Sequence, residues 1–180
     1  MAELKDIVEQ IQQRNLDKAL ELCESSQNNK NVHIIQNFMG VIHLLKNNLD
    51  LAESNFLSSA KINEKFEDPI KNLYSICLRK NNLKDLLFYA KKLIKIDPLN
   101  NQYNYQLAYA LELNNQLDEA IKYYEIYVNN EDKDKKKGLN NIGCVHIKKN
   151  KPRVALDYFL KAISFGEDKI ILNNTLNCYI

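Results

Sequence analysis

QLAYALELNNQLDEAIKYY, Gln106–Tyr124, carries two helical patterns on either side of an asparagine break. Upstream of the break, Tyr103, Leu107, Ala110, Leu111 and Leu113 recur at mostly three- and four-residue spacing, as one face of a helix does. Asn114-Asn115-Gln116 follows. Asparagine tolerates the left-handed backbone better than a branched residue, so it can end the first helix there. Asp118 and Glu119 then stand where the positive end of a second helix's macrodipole favours acids. The apolar face of that second helix reads Leu117, Ala120, Ile121, Tyr124 and Tyr127.

The same arrangement recurs along the chain. Positions equivalent to Ala120 are Ala19, Ala52, Leu86 and Ala155, with gaps of 33, 34, 34 and 35 residues along the series. Each follows a polar break: Arg14-Asn15, Asn47-Asn48, Asn81-Asn82, Asn115-Gln116 and Asn150-Lys151. A period of this size means stacked supersecondary units, each too small to fold alone. The approximate units are 1–32, 33–66, 67–100, 101–135 and 136–169 of a single array 1–180, with a partial sixth unit or cap over 170–180. Two helices joined by a tight turn approach closely, which calls for small residues. Gly40, Ala108 and Gly143, twelve residues before their anchors, are expected to face the anchor alanines. The third unit has Tyr74 and Leu86 instead and is expected to splay locally, or to be compensated by Ala90.

These residues resemble the tetratricopeptide repeat: a small residue in the first helix, an anchor alanine, an aromatic four later and a proline at the exit. The pattern reads Leu107, Ala108, Leu111, Leu117, Ala120 and Tyr124 in the fourth unit. In the fifth it reads Ile142, Gly143, His146, Ala155, Phe159 and Ala162, and in the second Met39, Gly40, His43, Ala52 and Phe56. The exit proline appears once, as Pro98. The resemblance implies an all-α, right-handed superhelical solenoid of about five helix-turn-helix repeats, with the first helices lining a concave groove. The first unit fits weakly and reads as an N-terminal cap. Asn129 to Lys137 reads as a polar, solvated loop. Residues 170–180 read as an apolar helix that either packs backwards or continues into further repeats, and that also offers an end-to-end homodimer contact.

Charge and cysteine usage narrow the function. There are 25 basic against 23 acidic residues, a net charge of +2, so no electrostatic footprint for nucleic acid stands out. No run reaches the length of a membrane span, and Cys23, Cys77, Cys144 and Cys178 lack metal-ligand spacing. A reducing, cytoplasmic setting with four free thiols is expected. No motif for catalysis, metal or cofactor is found, and the carboxylates read as solvent-facing. His43 and His146 share one place in their repeats and read as packed side chains with one hydrogen-bonded nitrogen.

Binding is therefore the expected activity, with another protein as partner, no membrane and no cofactor. Fourteen residues before each anchor stand Lys5, Phe38, Asn72, Gln106 and Asn141. Side-chain amides in a row can pair with the backbone of an extended peptide, as in the asparagine ladder of protein O-linked N-acetylglucosamine transferases; a row of merely solvated amides fits equally. Lys71 and Lys137 fall at two places of the family's carboxylate clamp, but Ser75, Gln106 and Asn141 depart from it. Tyr105 and Tyr109 offer an aromatic wall, with Arg79 and Lys148 on neighbouring first helices. The groove is expected to hold an extended or helical segment of a partner. The alternatives are a substrate-recruiting arm of a larger glycosyltransferase- or sulfotransferase-like enzyme, or single-stranded RNA binding, which the near-neutral charge disfavours.

Overall fold

The computed structural model describes residues 4–26, 30–130 and 135–179, and among them every regular element is a helix. The order is α1 (Leu4–Gln12), α2 (Leu16–Ser25), α3 (Val32–Leu45), α4 (Leu49–Ile62), α5 (Glu67–Arg79), α6 (Leu83–Ile96), α7 (Asn101–Leu113), α8 (Leu117–Asn129), α9 (Lys135–Lys148), α10 (Pro152–Ile163) and α11 (Lys169–Leu176). The chain forms two compact units, Met1–Tyr89 and Ala90–Ile180. In the first, α1 packs on α2, α3 on α4, and successive pairs on each other; in the second, α7 packs on α8, α8 on α9, α9 on α10 and α10 on α11.

One turn geometry sets every tight pair. Arg14, Asn47, Asn81, Asn115 and Asn150 have φ of 63°, 61°, 52°, 59° and 56°, the left-handed region that asparagine enters at low cost. The Asn115 N–H donates to the Glu112 carbonyl at 3.0 Å and the Gln116 N–H to the Leu111 carbonyl at 2.9 Å. This double closure satisfies carbonyls that the helix end would leave bare. It recurs at all five turns. The residue after each left-handed one accepts from the anchor N–H at 3.0 Å, so the turn itself fixes where the anchor falls.

The anchors Ala19, Ala52, Leu86, Ala120 and Ala155 are all completely buried. The small residues of the first helices, however, do not chiefly make room for them. A Cβ on Gly40 would lie 2.6 Å from Cδ1 of Phe56, and one on Gly143 2.7 Å from Cδ1 of Phe159. The small site receives the aromatic ring four residues after the anchor, and both rings are fully enclosed. In the third repeat Leu86 is wholly buried and Tyr74 is 4% exposed, so both large residues are enclosed.

Lysines tie neighbouring repeats. Lys46 pairs with Asp17 at 2.6 Å, Lys80 with Asp50 and Glu53 at 2.6 Å, and Lys149 with Asp118. Each lysine directly precedes a left-handed residue, and each of these aspartates lies two residues before the previous anchor. The lysine hydrogen bond holds the Asp50 and Asp118 carboxyls below the usual carboxylate range. Such exposed pairs contribute little stability.

One sequence expectation needs correction here. Lys135, Lys136 and Lys137 lie in the first turn of α9 rather than in a loop, while residues 131–134 fall outside the described residues. In α11, Ile171 and Thr175 are buried and Asp168 caps the helix by accepting from the Ile170 N–H at 2.9 Å. Ile170, Leu172, Leu176 and Tyr179 remain exposed, and Ile180 lies outside the described residues.

His43 and His146 sit in matching places on α3 and α9, and both are half-buried. Nδ1 of each is buried without a partner among the described residues, and His146 stacks on Tyr158 at 5.3 Å. Burial, and then the nearby Lys46 or Lys149, lowers both imidazoles below their ordinary 6.5. The unfolded chain therefore binds more protons than the folded one near and below pH 6.5, so stability is full above that value and falls as the pH drops. Urea midpoints measured from pH 7.5 down to pH 5.5 are expected to decline. His43→Leu with His146→Leu should flatten that decline, as Leu111 already stands at this position in the fourth repeat.

Candidate functional site

The second unit brings four of the expected residues into one polar chain. Lys148 Nζ, 47% exposed along its side chain, lies 2.7 Å from Glu112 Oε1. Glu112 Oε2 accepts from the Tyr124 hydroxyl at 2.8 Å. Asn141 Nδ2 donates to that hydroxyl at 3.2 Å and to the Tyr105 hydroxyl at 3.0 Å. Lys137 Nζ stands 4.0 Å from the centre of the Tyr105 ring, a cation–π contact on an exposed ammonium. The Tyr105 ring itself packs against Tyr124 and Tyr127 at 5.7 and 5.1 Å. The chain thus runs through α7, α8 and α9.

Glu112 overturns the expectation that carboxylates face solvent: it is 9% exposed. A charge that deep is tolerable only because both oxygens are engaged, one by an ammonium and one by a hydroxyl. Burial and the adjacent carboxylate push the Tyr124 hydroxyl far above its ordinary range, so it stays protonated and donates. Comparison in register would have exposed this residue, since Ile11, Leu44, Leu78 and Ile147 occupy its place in the other repeats.

Gln106 and Tyr109 share α7 with Tyr105 and are half-buried. Tyr105 and Tyr109, four residues apart, lie on one face, and Gln106 adjoins it. In the first unit, Lys71 pairs with Glu67 at 3.1 Å and Asp68 at 2.6 Å along α5, while Arg79 is exposed near its end. Asn72 Nδ2 donates to Asn37 Oδ1 at 3.3 Å. Asn174 Nδ2 makes the comparable bond to Asn140 Oδ1 at 3.0 Å. Two members of the amide row, Asn72 and Asn141, therefore reach from one first helix to the preceding one.

Burial pushes the Cys23 thiol up to about 12 and that of Cys77 to about 11, and it raises Cys144 and Cys178 as well, which disfavours thiolate. Among the described residues no group of three histidine, cysteine, aspartate or glutamate side chains could hold a metal ion, and no helix is long and apolar enough to cross a membrane.

Paired helices closed by recurrent left-handed turns, with a small site receiving an aromatic ring, define an all-α helical-repeat fold. Residues 102–125 and 137–165 match the family model of the tetratricopeptide repeat, in line with the resemblance read from the sequence. Solved structures agree on the fold. YrrB, described as a TPR protein with an unusual peptide-binding site, superimposes with a TM-score of 0.82 at 16% identity, covering 96% of this chain and 88% of that one. MamA from Desulfovibrio magneticus RS-1 gives 0.77 at 16% identity, over 89% and 91% of the two chains. A further MamA crystal structure gives 0.77 at 14% identity, over 92% and 95%. A search of curated proteins by sequence finds no match.

Proposed function

We propose that the protein is a scaffold without a catalytic step of its own, and that it holds a segment of a partner protein against the first-helix surface of α7 and α9. The observation that carries this reading is the Tyr105 ring. It is half-buried, braced from behind by Tyr124 and Tyr127, fixed at its hydroxyl by Asn141 and topped by an exposed lysine. A rigid aromatic surface loses little entropy on binding, and Tyr109 extends it with a second ring beside Gln106, whose Oε1 is enclosed. Asn141 and Glu112 act here as positioning residues. The peptide-binding site named for YrrB is a precedent on the same fold.

Gln106→Ala with Tyr109→Ala is expected to weaken binding of a peptide selected from a random library by about tenfold or more. An aromatic anchor at the centre of an interface contributes about 2 kcal/mol or more, enough for that loss. Titration calorimetry reads this directly. An unchanged affinity in a variant that keeps its helical circular dichroism would refute the assignment.

A further inference from the structure

The third repeat departs from its neighbours on its outer helix. On α6, Lys84, Phe88, Lys91 and Lys95 recur at four, three and four residues and so share one helix face. All four are exposed, Phe88 to 52%. Among the described residues, Lys84, Lys91 and Lys95 take part in no ion pair. The one acid of the helix, Asp85, is held by Asn82, whose Nδ2 donates to it at 2.7 Å.

Register shows that the repeat does not require this face. The equivalent residues are Asp50, Ser54, Leu57 and Lys61 on α4, and Asp118, Lys122, Glu125 and Asn129 on α8. Lys84 stands where Asp17, Asp50 and Asp118 pair with a lysine of the next repeat. Four lysines against Asp85 give α6 a net charge of +3, whereas the charged residues of α2, α4, α8 and α10 give −2, −1, −2 and +1. In a chain whose total is +2, this is a local concentration of charge.

We propose that this face of α6 docks an acidic amphipathic helix of a protein partner. The stripe follows helical periodicity for about 16 Å at 1.5 Å per residue, so a second helix can set carboxylates at the same spacing opposite the three ammonium groups. Phe88 supplies the apolar contact between them. A lipid surface calls for a broad apolar face rather than one ring among lysines. The surface lies on a second helix and is separate from the one on α7 and α9.

The test is fluorescence anisotropy on the full chain. The probe is a hydrocarbon-stapled helical peptide with glutamates at i, i+7 and i+11 and leucine at i+4; the comparison probes are a scrambled peptide of the same composition, phosphatidylserine-containing vesicles and polyuridylate. The stapled peptide is expected to bind in preference to the others and to weaken with added salt. Affinity should fall about tenfold or more in K84E/K91E/K95E, fall substantially in the neutralising K84Q/K91Q/K95Q, and fall several-fold in F88A. It should be unchanged in K122E on α8 and in Q106A/Y109A, which separates this surface from the one on α7. Absent binding, equal binding of the scrambled peptide, an equal loss in K122E, indifference to the α6 variants, or preference for vesicles or RNA would each overturn the proposal.

Discussion

Gly143→Val lowers stability by about 3 kcal/mol, the upper end of the usual cost of overpacking a core. Even the first added atom would lie 2.7 Å from Cδ1 of Phe159, whose ring is completely enclosed and cannot swing aside. Helix propensity works the other way, because valine is a few tenths of a kcal/mol better than glycine in a helix interior, and this is too little to offset the clash. Gly40→Val should behave alike against Phe56. For a chain of this length the loss corresponds to roughly 6–12 °C in thermal midpoint. Phe159→Leu added to Gly143→Val should recover part of it by removing the ring that the new side chain strikes. A melt unchanged by Gly143→Val would mean that the first helix does not receive the ring.

Glu112→Ala is expected to cost about 2 kcal/mol, because it leaves the Tyr124 hydroxyl buried without its acceptor. The lysine side of the pair adds little, since Lys148 is half exposed and regains water. Removing both partners is different. Glu112→Leu with Tyr124→Phe recreates the Leu44 and Phe56 combination of the second repeat, and should come within about 1 kcal/mol of the parent or exceed it. A double-mutant cycle over these positions therefore gives a coupling of about 1–3 kcal/mol. Additive effects would show that the carboxylate and the hydroxyl do not act as a pair. The apolar double variant should also bind partner peptide less well, because Asn141 loses the hydroxyl that helps it hold Tyr105.

What the sequence reveals follows from what periodicity can encode. The turn was legible because a left-handed residue, its polar neighbour and the anchor recur together, and each has a local backbone cause. The ring opposite Gly40 and Gly143 was not, because spacing within a helix says which face is apolar but not which residue of the partner helix meets it. Glu112 was legible in principle, as the one charge in a column of aliphatic residues. Abundance hides it, because numerous carboxylates suggest a solvated face.

The amide row was readable as a row but not in its use. Asn72 and Asn141 find their partners one repeat earlier, on Asn37 and Tyr105, and register alone does not tell an inward amide from one facing a ligand. Tyr105, Lys137, Asn141 and Lys148 read from the sequence as separate groove residues. The structure adds that Glu112 and Tyr124 join them into a single chain.

Chemical-shift mapping of the isotopically labelled chain with a library-selected peptide tests most directly whether partners are held on the first-helix surface. The largest shifts are expected at Gln106, Tyr109 and Lys137, with others along α7 and α9. Shifts concentrated on α8 and α10 instead, with Gln106 and Tyr109 unmoved at saturation, would contradict it.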